Sequence, residues 1–129
     1  MGFYVAGQVI KLMIKKGHTV SGSKVLVLGI TFKENCPDIR NSRVIDIIDE
    51  LKQFGCKVDV YDPWADPDEV KHEYQINMLD KPESKIGYDA IVLAVAHDKF
   101  KEMDMNSLKN GHTIVYDVKG ILQDSDGRL

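Results

Sequence analysis

Four short runs rich in β-branched residues recur along the chain, and they restrict its fold more than any other feature. The runs are KVLVLG at 24–29, KVDVYDP at 57–63, YDAIVLAVA at 88–96 and HTIVYDV at 112–118. Each is short for a buried helix and is followed by turn-forming or polar residues. Continuous apolar runs of this length are typical of strands that are covered on both faces of a sheet.

Helical patterns separate the four predicted strands. An apolar stripe at helical spacing predicts a helix from Ser42, its expected N-cap, to Gly55. A shorter helix is predicted from Asp66, with Pro67 in its first turn and acidic residues that suit the helix dipole better than a metal site. Two further short helical pieces are HDKFKEM at 97–103 and NSLKNG at 106–111. This alternation predicts an α/β fold, a Rossmann-like, three-layer α/β/α arrangement with a mostly parallel sheet.

A further helix, over residues 2–16, precedes the first predicted strand and stands outside the alternation. Its apolar stripe consists of Val5, Val9, Leu12 and Met13. Since helices in this position often connect two domains, we predict that residues 1–22 are an interdomain helix end with its linker, and that 23–129 form one domain. Without a partner domain the stripe is expected to be exposed. The polar tail after Leu122 is expected to be loosely held.

Length and composition narrow the class of protein. At 129 residues, the chain is long enough for one domain with its own core. A net charge of −3 at pH 7 gives no electrostatic reason to expect nucleic acid or an anionic membrane as a partner. Neither a membrane-spanning run nor a secretory signal is recognisable, so we expect a cytoplasmic protein. Cys36 and Cys56 lack the spacing of metal ligands and are expected to be free thiols.

The loop after the first strand, residues 30–41, is the main candidate site. Ligands of open parallel sheets bind beyond the carboxyl ends of the strands, where this loop lies. Gly29 is not followed by the glycines of a dinucleotide-binding turn, so no pyrophosphate cradle is expected there. The loop instead offers an aromatic face at Phe32, an ammonium at Lys33 and a guanidinium at Arg40. These groups can stack on a ring and pair with anionic oxygens.

The residues alone leave a second interpretation open with equal weight. Phe32 could pack in the core, and Lys33 and Arg40 could be solvated charges that balance the nearby charges of Glu34 and Asp38.

Two aromatic residues follow predicted strands at the same edge of the sheet, and their roles stay open. His97 and Trp64 could each approach a ligand. A histidine at a helix entry and an aromatic ring that closes a sheet edge are the commoner structural roles.

The segment GITFKENCPDIRNSRVIDIIDELKQFGCKVDVYDP, residues 29–63, resembles the C-terminal, UDP-binding domain of the UDP-glucose and GDP-mannose dehydrogenase family. The pattern F-K, a short spacer, D-x-R and then S carries the resemblance, which extends over nearly the whole chain. It is closest to the branch that oxidises UDP-N-acetyl-D-hexosamines, the galactosamine, glucosamine or mannosamine derivatives, to uronic acids for surface polysaccharide.

The resemblance implies an NAD-dependent oxidation of the sugar C6 hydroxyl to a carboxylate through a cysteine thiohemiacetal and thioester. The family's catalytic cysteine and its NAD-binding fingerprint belong to the N-terminal half, so this domain alone is expected to be inactive and to hold no catalytic residue and no metal. Phe32 and Lys33 correspond to pocket residues for the UDP-sugar, and Arg40 to a residue that reaches NAD on the other domain. Lys119 is the nearest match to a further substrate-binding cation.

Two hypotheses follow. In the first, this is the nucleotide-sugar-binding domain of a UDP-N-acetylhexosamine 6-dehydrogenase, with the N-terminal NAD-binding domain as its partner and a homo-oligomer as the full-length form. In the second, the chain is a stand-alone, non-catalytic nucleotide-binding or regulatory module with a Rossmann-like fold.

Overall fold

The computed structural model describes residues 2–82, 87–122 and 125–129. Its helices are α1 (Gly2–Lys15), α2 (Val44–Gln53), α3 (Pro67–Tyr74), α4 (Asp98–Glu102) and a 3-10 helix at Met105–Leu108. Its strands are β1 (Lys24–Leu28), β2 (Lys57–Tyr61), β3 (Tyr88–Leu93), β4 (Lys109–Asp117) and β5 (Gly127–Arg128). Over these ranges, no helix has both the length and the apolar character that a membrane crossing requires.

The five strands form one parallel sheet in the order β2-β1-β3-β4-β5. Val25 of β1 lies beside Val58 of β2 on one side and Ala90 of β3 on the other. The chain therefore runs outward from β1 to β2 and then returns to the opposite side of β1. This change of direction between β1 and β3 opens a crevice at their carboxyl ends, and it confirms the predicted α/β arrangement.

Helix α1 packs into the core, so the expectation of an exposed apolar stripe is wrong. Val5, Val9 and Met13 have no exposed surface, because α1 lies against α2 and the strand edge formed by β4 and β5. The exposed apolar residues of the helix are different ones, on its outer side: Phe3, Tyr4 and Ile14.

The start of α2 differs from the prediction of a Ser42 N-cap. Helical geometry begins beyond Arg43, the capping position, whose side chain makes no cap bond. The hydroxyl of Ser42 accepts only a long bond, 3.3 Å, from the N–H of Val44. The chain reaches this point through Asn41 in a left-handed turn, with φ of 58°, which delays the helix. In contrast, α3 begins as predicted, with the carboxylate of Asp66 accepting a hydrogen bond from the N–H of Asp68.

The end of the chain is held more firmly than the sequence indicated. Residues 127–128 form β5 beside Tyr116 and Asp117, and the carboxylate of Asp126 accepts a 2.7 Å hydrogen bond from the N–H of Val115. A two-residue strand has no apolar pattern that a sequence can reveal, and its pairing is a tertiary contact. Gln123 and Asp124 of the predicted loose tail lie outside the described residues.

Candidate functional site at the β1/β3 crevice

The loop after β1 presents its aromatic ring to solvent. Phe32 is 56% exposed, so the interpretation that places it in the core is wrong. Its N–H donates a 2.7 Å hydrogen bond to the carbonyl of Asp38, which folds the loop back on itself. Lys33 follows on the same exposed segment.

A crevice of about 240 Å³, which we call the switch crevice, lies at the carboxyl ends of β1 and β3. Its lining residues, all within the described part of the chain, include Phe32, Arg43 and Lys119 and no acidic side chain. Its apolar walls come from α2 and the loops after β3 and β4: Val44, Ile47, Ala94, Val95 and Val118. An aromatic edge, two cations and apolar walls suit a ligand that combines a ring with anionic groups.

Arg43 was not among the residues that sequence reasoning selected, although the chain carries a signal for it. A cation at the start of a helix is unfavourable beside the positive end of the helix dipole. Nothing in the hydrogen bonding of α2 requires a guanidinium there, since Arg43 makes no side-chain cap bond. A cation that opposes the dipole of its own helix at a strand's carboxyl edge is a reason to consider a binding role.

The predicted site residues do not all meet in one place. The structure brings Phe32 and Lys119 together in the switch crevice, with Lys33 next to Phe32 in the chain. Arg40 instead lines a separate depression of about 440 Å³ between the loop and α3. That depression also contains the carboxylates of Asp38, Glu69 and Glu73, so it suits an anionic ligand less well despite its greater volume.

Arg40 is fixed by a two-pronged ion pair with Asp38. Its Nε and Nη2 donate hydrogen bonds of 3.0 and 3.2 Å to the two carboxylate oxygens. Hydrogen bonds from the side chain and the backbone of Arg40 lower the pKa of Asp38, and the same pair raises the pKa of Arg40. The pair is exposed to solvent and holds the guanidinium in place rather than stabilising the fold.

A buried aspartate at the end of β2 organises the loops around the crevice. Asp62 Oδ2 accepts hydrogen bonds from the N–H of Ile30 (2.7 Å), the N–H of Thr31 (3.1 Å) and His97 Nε2 (2.9 Å). Its Oδ1 accepts from the N–H groups of Trp64 (2.7 Å) and Ala65 (3.2 Å). Burial opposes ionisation of this carboxyl, but the hydrogen bond from His97 and those from the backbone outweigh it and lower its pKa.

His97 is fully buried at the centre of this network. Its Nδ1 accepts a 2.9 Å hydrogen bond from the N–H of Asn35, so the ring proton of the neutral imidazole is on Nε2. From Nε2 the ring donates to Asp62, and it lies 3.1 Å from the hydroxyl oxygen of Thr31. The helix-entry interpretation places His97 correctly before α4, although its side chain makes no cap bond.

Aromatic rings enclose the imidazole. Trp64 stacks on His97 with 6.2 Å between ring centroids and remains 44% exposed, so it closes the sheet edge over the histidine. Phe100 packs against His97 at 5.4 Å. The residues that follow β1, β2 and β3 thus meet in one cluster beneath the exposed loop.

A second buried aspartate ends β4 and shapes the segment that carries Lys119. Asp117 Oδ1 accepts hydrogen bonds from the N–H groups of Lys119 (3.1 Å) and Gly120 (2.8 Å). Its Oδ2 accepts from the N–H of Leu122 at 2.7 Å. The pair Tyr-Asp stands at the end of both β2 and β4, with Asp62 directly after β2 and Asp117 as the last residue of β4. This repeat is a sequence signal for the two carboxylates, although not for the groups that they bind.

The glycine of the turn after β1 makes room for the loop after β3. Gly29 has φ of 99°, and a Cβ built on it would lie 2.5 Å from Val95 Cβ and 2.9 Å from Val95 N. The residues that follow Gly29 are Ile30, Thr31 and Phe32, so the turn has no second glycine of a dinucleotide-binding motif.

The two cysteines lie apart from the crevice lining and are free thiols. Burial and the nearby Asp89 carboxylate raise the pKa of Cys56, which is the behaviour of a packed rather than a reactive thiol. In the described ranges, no group of His, Cys, Asp and Glu side chains could hold a metal ion.

The fold and the crevice define a class: an open, parallel α/β domain with a crevice at its switch point that suits a ring-bearing anion. The sequence profile of the UDP-glucose/GDP-mannose dehydrogenase family, UDP binding domain, matches residues 26–124. The chain therefore belongs to this family and corresponds to its UDP-binding domain, as the F-K and D-x-R pattern predicted.

Curated relatives align with this chain over its full length. The UDP-N-acetyl-D-glucosamine 6-dehydrogenase of Salmonella typhi is 51% identical over 134 residues, which cover 100% of this chain and 31% of that enzyme. The enzyme of the same name from Pseudomonas aeruginosa is 45% identical, over 100% of this chain and 32% of its own length. The chain thus spans about a third of the length of these relatives.

Solved structures support the fold. A UDP-N-acetyl-mannosamine dehydrogenase from Staphylococcus aureus superposes with a TM-score of 0.74 at 24% identity, over 96% of this chain and 28% of that one. A UDP-D-ManNAc dehydrogenase from Pyrococcus horikoshii gives 0.73 at 23% identity, over 98% and 30%. The predicted Rossmann-like architecture is confirmed.

Proposed function

We propose that this chain is the nucleotide-sugar-binding domain of an NAD-dependent UDP-N-acetylhexosamine 6-dehydrogenase, which oxidises the C6 hydroxyl of the sugar to a carboxylate. The observation that carries the proposal is the switch crevice, whose lining includes Phe32, Arg43 and Lys119 and no acidic side chain. The similarity of the whole chain to enzymes named for this reaction supports it.

The crevice provides for both parts of a nucleotide sugar. The Phe32 ring offers a face to a base or sugar ring, and the apolar walls exclude water from one side of it. Arg43 and Lys119 offer positive charge to the diphosphate. Because the chain has a net charge of −3, a diphosphate has to be held by local cations of this kind. Lys33, on the exposed segment beside Phe32, neutralises and orients the same ligand.

The remaining parts of the reaction belong to other segments of the full-length enzyme. When bound to the N-terminal domain, NAD supplies the hydride acceptor. Arg40, held in position by Asp38 at the exposed edge of the loop, faces outward and contacts NAD across the domain boundary. Residues 1–22 form the end of the interdomain helix and its linker, residues 23–129 form the substrate-side domain, and the full-length enzyme is a homo-oligomer.

The test is the number of NADH molecules that the full-length enzyme forms per molecule of sugar oxidised. With NAD and each UDP-N-acetylhexosamine in turn, we expect two NADH per sugar, because an alcohol becomes a carboxylate in two hydride transfers. UDP-glucose serves as the control substrate that lacks the acetamido group. No NADH with any of the UDP-N-acetylhexosamines overturns the proposal. Binding of UDP by the 129-residue chain, combined with an inactive full-length enzyme, would indicate the non-catalytic module instead.

A further inference from the structure

One imidazole lies against both ends of the exposed segment that carries Phe32 and Lys33. At the near end, the hydroxyl of Thr31 lies 3.1 Å from His97 Nε2 and donates a 3.0 Å hydrogen bond to the carbonyl of Lys33. At the far end, the N–H of Asn35 donates to His97 Nδ1 at 2.9 Å. The segment between these two points is exposed, whereas Thr31 and His97 are buried.

We propose that His97 is a positioning residue for nucleotide-sugar binding, which in its neutral Nε2–H form fixes the Phe32–Lys33 segment through Asn35. This inference rests on the proposed function of the switch crevice. His97 does not itself contact the ligand, since its side chain is fully buried beneath the loop.

The network requires a donor and an acceptor on opposite sides of one small ring. Asn35 presents an N–H to one side of His97, and the carboxylate of Asp62 presents an oxygen to the other. A neutral imidazole is the side chain that satisfies both at once. An apolar side chain at position 97 could fill the same space and would avoid the energetic cost of desolvating a buried polar pair. The buried pair therefore indicates that a defined loop geometry is needed here.

Asn35 is the residue through which His97 positions the segment. Its φ of 54° places it in the left-handed region, which is costly for a residue with a side chain and persists where neighbours fix it. Two hydrogen bonds fix it to the start of α4: its N–H donates to Nδ1 of His97, the capping position, and its Oδ1 accepts from the N–H of Asp98 at 3.1 Å. Loss of the first bond frees the Phe32–Lys33 segment while the core beneath it stays packed.

Two substitutions test the two ring nitrogens of His97 separately. In His97→Gln, the amide nitrogen reaches the position of Nε2 and donates to Asp62, but no acceptor remains for Asn35. In His97→Asn, the amide oxygen takes the position of Nδ1 and accepts from Asn35, but Asp62 loses its side-chain donor. His112→Gln is the matched control, because His112 is an exposed histidine in the amino-terminal half of β4, away from the carboxyl ends of the strands.

In the full-length enzyme, we expect His97→Gln to raise KM for the UDP-sugar about tenfold and to leave KM for NAD within about twofold. His97→Asn is expected to lower Tm but to keep KM for the UDP-sugar within about threefold of wild type. His112→Gln is expected to change neither quantity. A KM that follows Tm across the variants, or one that is equal in the Gln and Asn variants, overturns the positioning role.

An independent measurement separates this inference from the proposed function. In the 129-residue chain with ¹⁵N-labelled histidine, the His97 ring should carry its proton on Nε2 and leave Nδ1 bare, and a proton on Nδ1 overturns the positioning through Asn35. The Asn35 amide should exchange slowly in wild type and in His97→Asn, and quickly in His97→Gln. If the tautomer is as stated but KM is unchanged in His97→Gln, the positioning role alone fails. If wild type makes no NADH, the proposed function fails and the role falls with it.

Discussion

Arg43 and Lys119 reach the switch crevice from different elements, one from the start of α2 and one from the loop after β4. Each can make a charge-assisted hydrogen bond to a diphosphate, which contributes about 1.5–3 kcal/mol. Replacing either with Ala in the full-length enzyme is therefore expected to lower kcat/KM for the UDP-sugar about 10- to 100-fold. Lys52→Ala, an exposed cation in the last turn of α2, is the control and should have no effect. Equal kinetics for Arg43→Ala and Lys52→Ala would remove Arg43 from the site.

The carboxylate of Asp62 links the stability of the loop cluster to pH. Its pKa is lowered in the folded state, so its contribution is complete above the unfolded value of about 3.9 and is lost as the pH falls through the folded-state pKa. Asp62→Asn turns an amide N–H₂ toward backbone donors, which should cost about 3 kcal/mol of unfolding free energy at pH 7.

Urea unfolding of the chain at pH 7, 5 and 3 measures this dependence. The difference between wild type and Asp62→Asn should be largest at pH 7 and should shrink at pH 3, because below its unfolded pKa the carboxyl takes up a proton on unfolding. Asp49→Asn, on the exposed face of α2, provides the control and should show a small difference at every pH. A gap that is the same at pH 7 and pH 3 would mean that the ionised form of Asp62 contributes nothing.

The close approach of the loops after β1 and β3 depends on Gly29. Both Gly29 and Gly111 have positive φ, 99° and 91°, but a Cβ meets Val95 at 2.5 Å in the first case and nothing within 4 Å in the second. Gly111→Ala should therefore cost about 1–2 kcal/mol for conformation alone. Gly29→Ala should cost about 1–3 kcal/mol more, because Val95 and its backbone must shift. Chemical denaturation of both variants measures these costs. Equal losses of unfolding free energy would show that Val95 moves freely.

The central elements could be predicted from the sequence because their signals are local. Strands β1 to β4 appear as apolar runs, and α3 begins with an aspartate cap and a proline. The two-residue strand β5 and the late start of α2 could not be predicted, since one depends on pairing with β4 and the other on a left-handed turn at Asn41. Such features are decided by tertiary contacts.

The candidate site, too, could be predicted from the sequence only in part. The loop pattern led to Phe32, and the resemblance led to Lys119, which the fold places in the same crevice. The network beneath them could not be read from the sequence, because Asp62 and His97 are 35 residues apart and meet only through the parallel pairing of β2, β1 and β3. Parallel sheets bring the ends of non-consecutive strands together, so their sites are assembled from distant segments.

For the molecule as a whole, the main question is how α1 relates to the rest of the chain. The division at residues 22 and 23 assigns α1 to an interdomain helix, yet its inner face is buried against α2 and the sheet. One helix can serve both purposes if one side completes the core of this domain and the other meets a neighbouring domain. The exposed residues Phe3 and Ile14 lie on that other side.

Two adjacent residues of α1 test whether it folds with the domain. Met13 has no exposed surface and Ile14 is 59% exposed. If α1 is part of one cooperative unit, Met13→Ala should lower the unfolding free energy of the 129-residue chain by about 2–5 kcal/mol through the cavity it leaves. Ile14→Ala should change it by less than about 0.5 kcal/mol. Small effects of both substitutions in urea unfolding would mean that α1 docks loosely. A large effect of Met13→Ala alone would mean that α1 is a structural part of the domain formed by the sheet and α2.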